Sequence, residues 1–199
     1  MRPVRILTAL TVAAAMTLTG CAAHPTAVRS PKARQAPQPP PDTTGPASAP
    51  ADRQAAIYAT VMRQFLTSGD DSFDERFPRV FVLNRAIAGA GSPTRRATAT
   101  GDTLIPPSAR HAITAALADV GPVAFVSSPG TVIVDRHGCA GVRDQGILIT
   151  LGPLIGMGNR VEVGLNGFVA CLGAAWVTYR VGWTGKGWVV HQTIRGPVA

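Results

Sequence analysis

The sequence lacks the residue patterns that identify the common catalytic and metal-binding sites. Its three cysteines and four histidines show neither Cys-x-x-Cys nor His-x-x-x-His spacing, the spacings typical of zinc sites. It has no Gly-x-Ser-x-Gly segment, and its glycine pairs at 89/91 and 156/158 lack the third glycine or the lysine of a phosphate-binding loop. We therefore expect no catalytic residues, no metal and no cofactor, and a protein that is not an enzyme.

Long apolar runs and strong charge are also missing. The N-terminal apolar stretch, residues 6–18, has 13 residues, whereas a membrane-spanning helix needs about 20. Residues 51–199 hold 14 Lys and Arg against 10 Asp and Glu, a net charge of +4. This mild excess comes without a basic helix or a strip of alternating aromatic and basic residues, so we expect no nucleic-acid partner.

The N-terminus carries the most specific motif. Two arginines within the first five residues precede the apolar stretch, and the small residues of the segment LTGC (18–21) lead to Cys21. This arrangement resembles the signal peptide of bacterial lipoproteins. The resemblance implies a signal peptide at 1–20, a lipid on the Cys21 sulfur and attachment to the outer, extracytoplasmic face of the cell membrane. The alternatives are an ordinary secretory signal with a chance cysteine, or a retained N-terminal helix.

Residues 21–50 differ in composition from the rest of the chain. Eight prolines lie between 24 and 50, without any aromatic residue, and Val28 is the only branched aliphatic residue. Such a segment cannot bury enough apolar surface to offset the entropy of ordering it. We predict a disordered tether at 21–50 and a single globular domain at 51–199.

Two cysteines remain beyond the lipidation site. An exported protein enters an oxidising compartment, in which disulfides persist, so Cys139 and Cys171 are predicted to pair. The alternative is two separate buried thiols.

Hydrophobic periodicity predicts two helices. Residues 52–67 repeat apolar side chains at three- and four-residue spacing, with Asp52 as the expected N-cap. A second helix is expected from the Pro106-Pro107 pair to Gly121, with Ser108 as its N-cap.

Strand patterns predominate elsewhere. They fall at 79–87, 123–127, 131–135, 147–151, 161–172 with a bulge at 166–167, 177–183 and 188–194, and residues 184–187 read as a hairpin loop. We predict an α+β fold in which two helices in the N-terminal half pack on a curved, mainly antiparallel sheet that ends in a β-meander.

Several segments resemble a domain of uncharacterised exported proteins and lipoproteins of actinobacteria and other Gram-positive bacteria. They are IYATV (57–61), RVFV (79–82), GILITLGP (146–153), WVTY (176–179) and GWVV (187–190). The resemblance implies no established activity. The order of elements is also similar to that of cystatin-like and nuclear-transport-factor-2-like cones.

Aromatic residues near the C-terminus offer one candidate ligand site. Tyr179, Trp183 and Trp188 fall on one face of a predicted hairpin, with Arg180 or His191 at its rim. They either pack under the helices or line a groove for an envelope glycan or an apolar small ligand.

Two clusters of reactive residues have simpler interpretations. Residues 135–139 bring His137 close to Cys139 in sequence, but a disulfide at Cys139 would exclude a nucleophilic thiol. The acidic residues at 70–75 are expected on a solvated turn. We therefore expect a membrane-anchored binding or envelope-structural module, and the alternative is a cell-envelope hydrolase of unfamiliar active-site design.

Overall fold

The computed structural model describes residues 50–68, 73, 76–94 and 102–198. The predicted signal peptide, the lipidation site Cys21 and the tether up to residue 49 lie outside these residues, as do all four acidic residues of the 70–75 cluster. The described residues belong to the region in which the sequence predicts a globular domain.

Two α-helices and ten β-strands form in the described part of the chain. The helices are α1 (Pro50–Thr67) and α2 (Pro107–Ala116). The strands are β1 (Val80–Leu83), β2 (Arg85–Ala86), β3 (Thr103–Leu104), β4 (Val123–Val126), β5 (Ile133–Arg136), β6 (Cys139–Val142), β7 (Ile147–Leu151), β8 (Arg160–Ala170), β9 (Gly173–Trp183) and β10 (Trp188–Val198). The predicted α+β class is confirmed.

Both helices form where the periodicity predicts them, but their first residues differ from the prediction. α1 starts at Pro50, so Asp52 lies inside its first turn and is not the N-cap. α2 has Pro106 as its N-cap, and Ser108 lies within the helix. Proline suits the first helical position because the backbone N–H it lacks would have no partner there. The buried stripes are as expected, with Phe65 of α1 and Ile113 of α2 fully buried.

Eight strands form one mixed sheet with the order β10-β9-β8-β7-β1-β4, and β5 and β6 extend it beside β8. β1 runs parallel to β4 on one side and to β7 on the other, and the remaining pairs are antiparallel. α2 lies in the connection between β1 and β4, as parallel neighbours require a crossover. The sheet thus joins a parallel segment at one end, β7-β1-β4, to the predicted antiparallel meander.

β1 separates two hydrophobic cores. Val80 and Val82 face the larger core, which includes the buried stripes of both helices. Phe81 and Leu83 face a smaller core on the other side of the strand. Both apolar faces of β1 are therefore covered. The predicted single strand at 79–87 is instead divided at Asn84, after which β2 pairs with β3 in a separate small sheet.

The meander follows the predicted alternation, with one correction and one missed strand. β8 continues straight through Asn166 and Gly167, and its irregularity falls between Phe168 and Ala170. Gly167 is required for packing, because a Cβ there would lie 2.5 Å from the Phe65 ring of α1. β6, which the sequence pattern does not reveal, pairs with β5 and contacts the end of β8.

A disulfide joins Cys139 at the start of β6 to Cys171 in the turn between β8 and β9. Their Cα atoms are 5.5 Å apart, and 32 positions separate them in sequence. The predicted pairing is confirmed. It fixes the β5–β6 hairpin to the far end of the meander.

Candidate functional site

The aromatic side chains considered for a ligand groove pack in and against the larger core. Tyr179 is fully buried and Trp188 is only 7% exposed. Trp183 is half-buried against Trp188, with ring centroids 5.7 Å apart. The guanidinium of Arg53 in α1 lies 5.1 Å from the centroid of the Trp188 ring. These rings therefore stabilise the contact between α1 and the β9–β10 hairpin, and they do not form an open row of aromatic faces.

The reactive residues at 135–139 form a tight hairpin turn. His137 and Gly138 join β5 to β6, and both have positive φ angles, 59° and 81°. Two-residue hairpin loops favour such angles because they match the twist of the strands. The Asp135 carboxylate accepts a hydrogen bond from the Gly138 N–H at 2.8 Å. Because the sulfur of Cys139 is bonded to Cys171, His137 has no free thiol beside it.

Residues on the opposite face of the meander form a more open site. Glu162 of β8, Arg180 of β9 and Gln192 of β10 lie directly opposite one another in the sheet register. The Arg180 Nε donates to Glu162 Oε2 at 3.1 Å, and its Nη1 donates to Gln192 Oε1 at 2.9 Å. Arg180 and Tyr179 are neighbours in sequence but face opposite sides because side chains alternate along a strand.

A β-bulge adds His191 to this row. The register of β10 shifts between Val190 and Gln192, so His191 is an extra residue opposite no single partner. Its imidazole lies over Gly182, where a Cβ would collide with it. His191 and Gln192 consequently line the same cavity, although strict alternation would place one of them on the core side.

Two adjoining cavities lie over the row, with volumes of about 460 and 310 Å³. They share Ile155, Glu162 and Arg180, and we call the combined site the outer-face cleft. Its size is within the range of small-ligand sites. Ile155 is 56% exposed, and Ile194 is 39% exposed, so the cleft has apolar as well as charged walls.

One wall of the outer-face cleft is a loop that rests on the sheet. Gly91 N–H donates to the Asn166 Oδ1 at 2.6 Å, which fixes the loop to β8. The Ala90 carbonyl lies against Gly164, where a Cβ would overlap with the carbonyl oxygen. Gly91 has a φ of +87°, and a Cβ added to it would lie 2.7 Å from Gly164 Cα. Two glycines facing each other thus allow backbone to pack directly on backbone.

The charges of the cleft favour an anionic group. Among the described residues that line it, Arg160 and Arg180 are the cations and Glu162 is the one carboxylate. Arg180 is held at Nε and Nη1, and in the described part of the chain its Nη2 donates no hydrogen bond. A guanidinium fixed in this way can donate to a carboxylate or phosphate oxygen without first being ordered.

A second, shallower cavity of about 600 Å³ lies between α1, α2 and β10 and includes the edge of Trp188. Its one charged side chain among the described lining residues, Arg63, donates to both carboxylate oxygens of Asp119 at 2.7 and 2.8 Å. These hydrogen bonds hold the pKa of the Asp119 carboxyl below its usual range. Both terminal nitrogens of the Arg63 guanidinium thus already donate to Asp119. This cavity therefore provides fewer hydrogen-bond donors for an anionic ligand than the outer-face cleft.

Comparison with known proteins gives no relative. No protein-family model, curated protein or solved structure matches the chain significantly. Within the described residues, no three His, Cys, Asp or Glu side chains gather as metal ligands would. None of the helices in the described ranges is both long and apolar enough to cross a membrane.

Proposed function

We propose that the protein is a lipid-anchored lipoprotein of the extracytoplasmic membrane face, whose domain binds a small amphipathic anion in the outer-face cleft. The observation that carries the ligand class is Arg180, a guanidinium that lines the cleft and is held in place by hydrogen bonds to the two neighbouring strands. The anchored location rests on the resemblance of residues 1–21 to a lipoprotein signal.

The disulfide supports the extracytoplasmic location. Cytosolic thiols are kept reduced, whereas disulfides persist in exported proteins. Cys139 and Cys171 are paired and lie at the surface, Cys171 being exposed. A structural disulfide at such an accessible position is consistent with an oxidising environment.

The ligand class follows from what lines the cleft. The cationic groups would bind a carboxylate or phosphate, and the exposed Ile155 and Ile194 would cover an adjoining apolar portion of the ligand. The outer-face cleft is a different site from the aromatic groove considered above, because the aromatic rings lie on the core side of the meander. For the alternative of an envelope hydrolase, the Glu162 carboxylate is a poor candidate for a general base because Arg180 engages it.

Membrane fractionation of a Cys21→Ala variant tests the anchor. We expect the unmodified protein in the membrane fraction, resistant to high-salt extraction, and the variant released, because two or three acyl chains give effectively permanent attachment. Integral membrane attachment of the variant would overturn the lipidation site and favour a retained N-terminal helix.

An NMR titration tests the cleft, with decanoate as the amphipathic anion and N-acetylglucosamine as the glycan probe. Decanoate should shift the amides around Glu162, Arg180 and Gln192. Loss of a charged hydrogen bond of about 1.5–3 kcal/mol predicts at least tenfold weaker binding for Arg180→Gln. The matched control Arg143→Gln removes an exposed arginine of the β6–β7 turn and should leave binding unchanged. Shifts by N-acetylglucosamine alone, or equal effects of the two substitutions, would contradict the proposed ligand class.

A further inference from the structure

The start of α1 and two loops meet at one end of the domain. Arg53 in the first turn of α1 donates from Nη2 to the Gly158 carbonyl at 2.8 Å. The Trp183 N–H donates to the Asn159 carbonyl at 2.9 Å, which brings the β9–β10 hairpin loop to the same place. We call this end the α1 pole, defined by Arg53, residues 155–160 and residues 184–187.

The tip of the α1 pole is apolar. Met157 is 90% exposed and Ile155 is 56% exposed. Met157 is flanked by Gly156 and Gly158, whose φ angles of +115° and +60° are rare for other residues. These glycines make the tight turn at whose tip the methionine projects. Surface apolar residues usually occur singly, whereas Met157 and Ile155 are exposed together on this one loop.

Basic residues surround this tip. Arg160 and Lys186 are exposed, and Arg53 is half-buried between Trp188 and the loop. Asp52 in the first turn of α1 and Glu162 are the acidic groups nearby, and Glu162 is paired with Arg180. Apolar side chains within a ring of cations fit a surface that is both anionic and apolar, as the interface of an anionic bilayer is.

The predicted anchor at Cys21 would hold this end near the membrane. α1 begins at Pro50, three residues before Arg53 of the α1 pole, and residues 22–49 lie between Pro50 and Cys21. These 28 residues can reach at most about 100 Å when fully extended. A surface held so close to a bilayer has an effective concentration in the millimolar range, so weak intrinsic affinity is sufficient for docking.

We propose that the α1 pole docks on the anionic lipid surface of the membrane, with Met157 and Ile155 inserted into the interface and Arg53, Arg160 and Lys186 on the headgroups. This orientation rests on the proposed anchor at Cys21. The outer-face cleft, which shares Ile155 and Arg160 with the pole, then opens beside the bilayer.

Fluorescence quenching tests the docking without dependence on natural lipidation. Because Cys139 and Cys171 are paired, Cys21 of the mature chain 21–199 can be coupled to a maleimide lipid in vesicles. The vesicles contain brominated phosphatidylcholine with or without phosphatidylglycerol. The M157W variant should be quenched strongly, and more so with phosphatidylglycerol present.

The matched control is L172W. Leu172 is 88% exposed and lies two residues beyond Ala170, the far end of β8, which is about 33 Å from Arg160 by the rise of ten residues. L172W should show no more quenching than the native tryptophans. Each cation near an anionic bilayer contributes about fivefold to the binding constant for the membrane. The double variant Arg160→Gln and Lys186→Gln should therefore lower that constant about 25-fold. Release of the Cys21→Ala variant in fractionation addresses the anchor separately.

Equal quenching of M157W and L172W would overturn the docking surface. The docking surface would also be overturned if the tryptophan of M157W showed the fluorescence of a water-exposed residue in both kinds of vesicle. That outcome would point to a protein partner for the exposed methionine. Insensitivity to phosphatidylglycerol would refute the role of the basic ring.

Discussion

Replacement of Gly164 by alanine should destabilise the domain by displacing a loop of residues 89–92 from the sheet. Gly164 lies on β8 in the floor of the outer-face cleft, and its Cβ position overlaps with the Ala90 carbonyl oxygen. The neighbouring contacts are also backbone, since Gly91 N lies 3.1 Å from the same position. No rotation of a side chain can therefore make room for a methyl group, and the loop must move.

The expected magnitude is the sum of three effects. Forcing one methyl group into a packed contact costs about 1–3 kcal/mol. Movement of the loop weakens the hydrogen bond from Gly91 N–H to Asn166 Oδ1, which contributes about 1 kcal/mol. Against these costs, alanine stabilises a strand interior by about 0.5–1 kcal/mol relative to glycine, because it loses less conformational freedom on folding. The free energy of unfolding should thus fall by about 2 kcal/mol, which corresponds to about 4–8 °C in Tm for a domain of this size.

Thermal unfolding followed by circular dichroism measures this change. The matched control is Gly187→Ala in the hairpin loop, where a Cβ would meet nothing within 4 Å. The control should unfold within about 2 °C of the unmodified protein, because substitutions away from packed contacts change stability by less than about 0.5 kcal/mol. If Gly164→Ala unfolds at the temperature of the control, the loop does not rest on β8 and the described wall of the cleft is incorrect.

Three further outcomes follow from the fold. Cys171→Ala should lower the free energy of unfolding by about 2–5 kcal/mol, and alkylation of the native protein should detect no thiol at Cys139 unless a reductant is added. Tyr58→Phe should cost about 1 kcal/mol through loss of the bond from its hydroxyl to the Gly152 carbonyl at 2.9 Å. Burial raises the pKa of Tyr58 to about 12 from 10.0. The stabilisation of the folded domain by the neutral Tyr58 hydroxyl is therefore complete below pH 10 and is lost as pH rises from 10 to 12. Tyr58→Phe should reduce this loss in alkaline unfolding curves. Removal of residues 22–48 should leave Tm unchanged. A decrease in Tm of more than about 5 °C, which corresponds to more than about 1 kcal/mol in the free energy of unfolding, would show that the tether packs on the domain.

Much of the meander could be predicted because local patterns determine it. Val177, Tyr179 and Val181 alternate with polar residues, and each is buried as the alternation requires. The hairpin loop at 184–187 closes where glycine and polar residues interrupt the pattern, with Thr184 N–H bonded to the Gly187 carbonyl. Such features involve neighbours in sequence, and their hydrogen bonds follow from the local pattern.

The candidate site was only partly accessible to such reasoning. Arg180 and His191 were identified as rim residues, but with the aromatic rings as the binding surface. The partners of Arg180 are Glu162 and Gln192, which lie 18 and 12 positions away in sequence. A bulge at His191 decides that two consecutive residues line the cleft, and no local pattern marks that bulge.

The sequence by itself determined the α+β class, both amphipathic helices and the strand alternation of the meander. It also determined the disulfide, through one cysteine pair in a chain that is predicted to be exported. Its N-terminal motif also predicts the anchor at Cys21. The tertiary structure alone decided the parallel pairing of β1 with β4 and β7, because a buried strand with apolar faces on both sides carries no signal for its neighbours. It also decided the contact between Gly91 and Gly164, the Arg180 row and the α1 pole, since each joins residues far apart in the chain whose proximity depends on the packing of the whole domain.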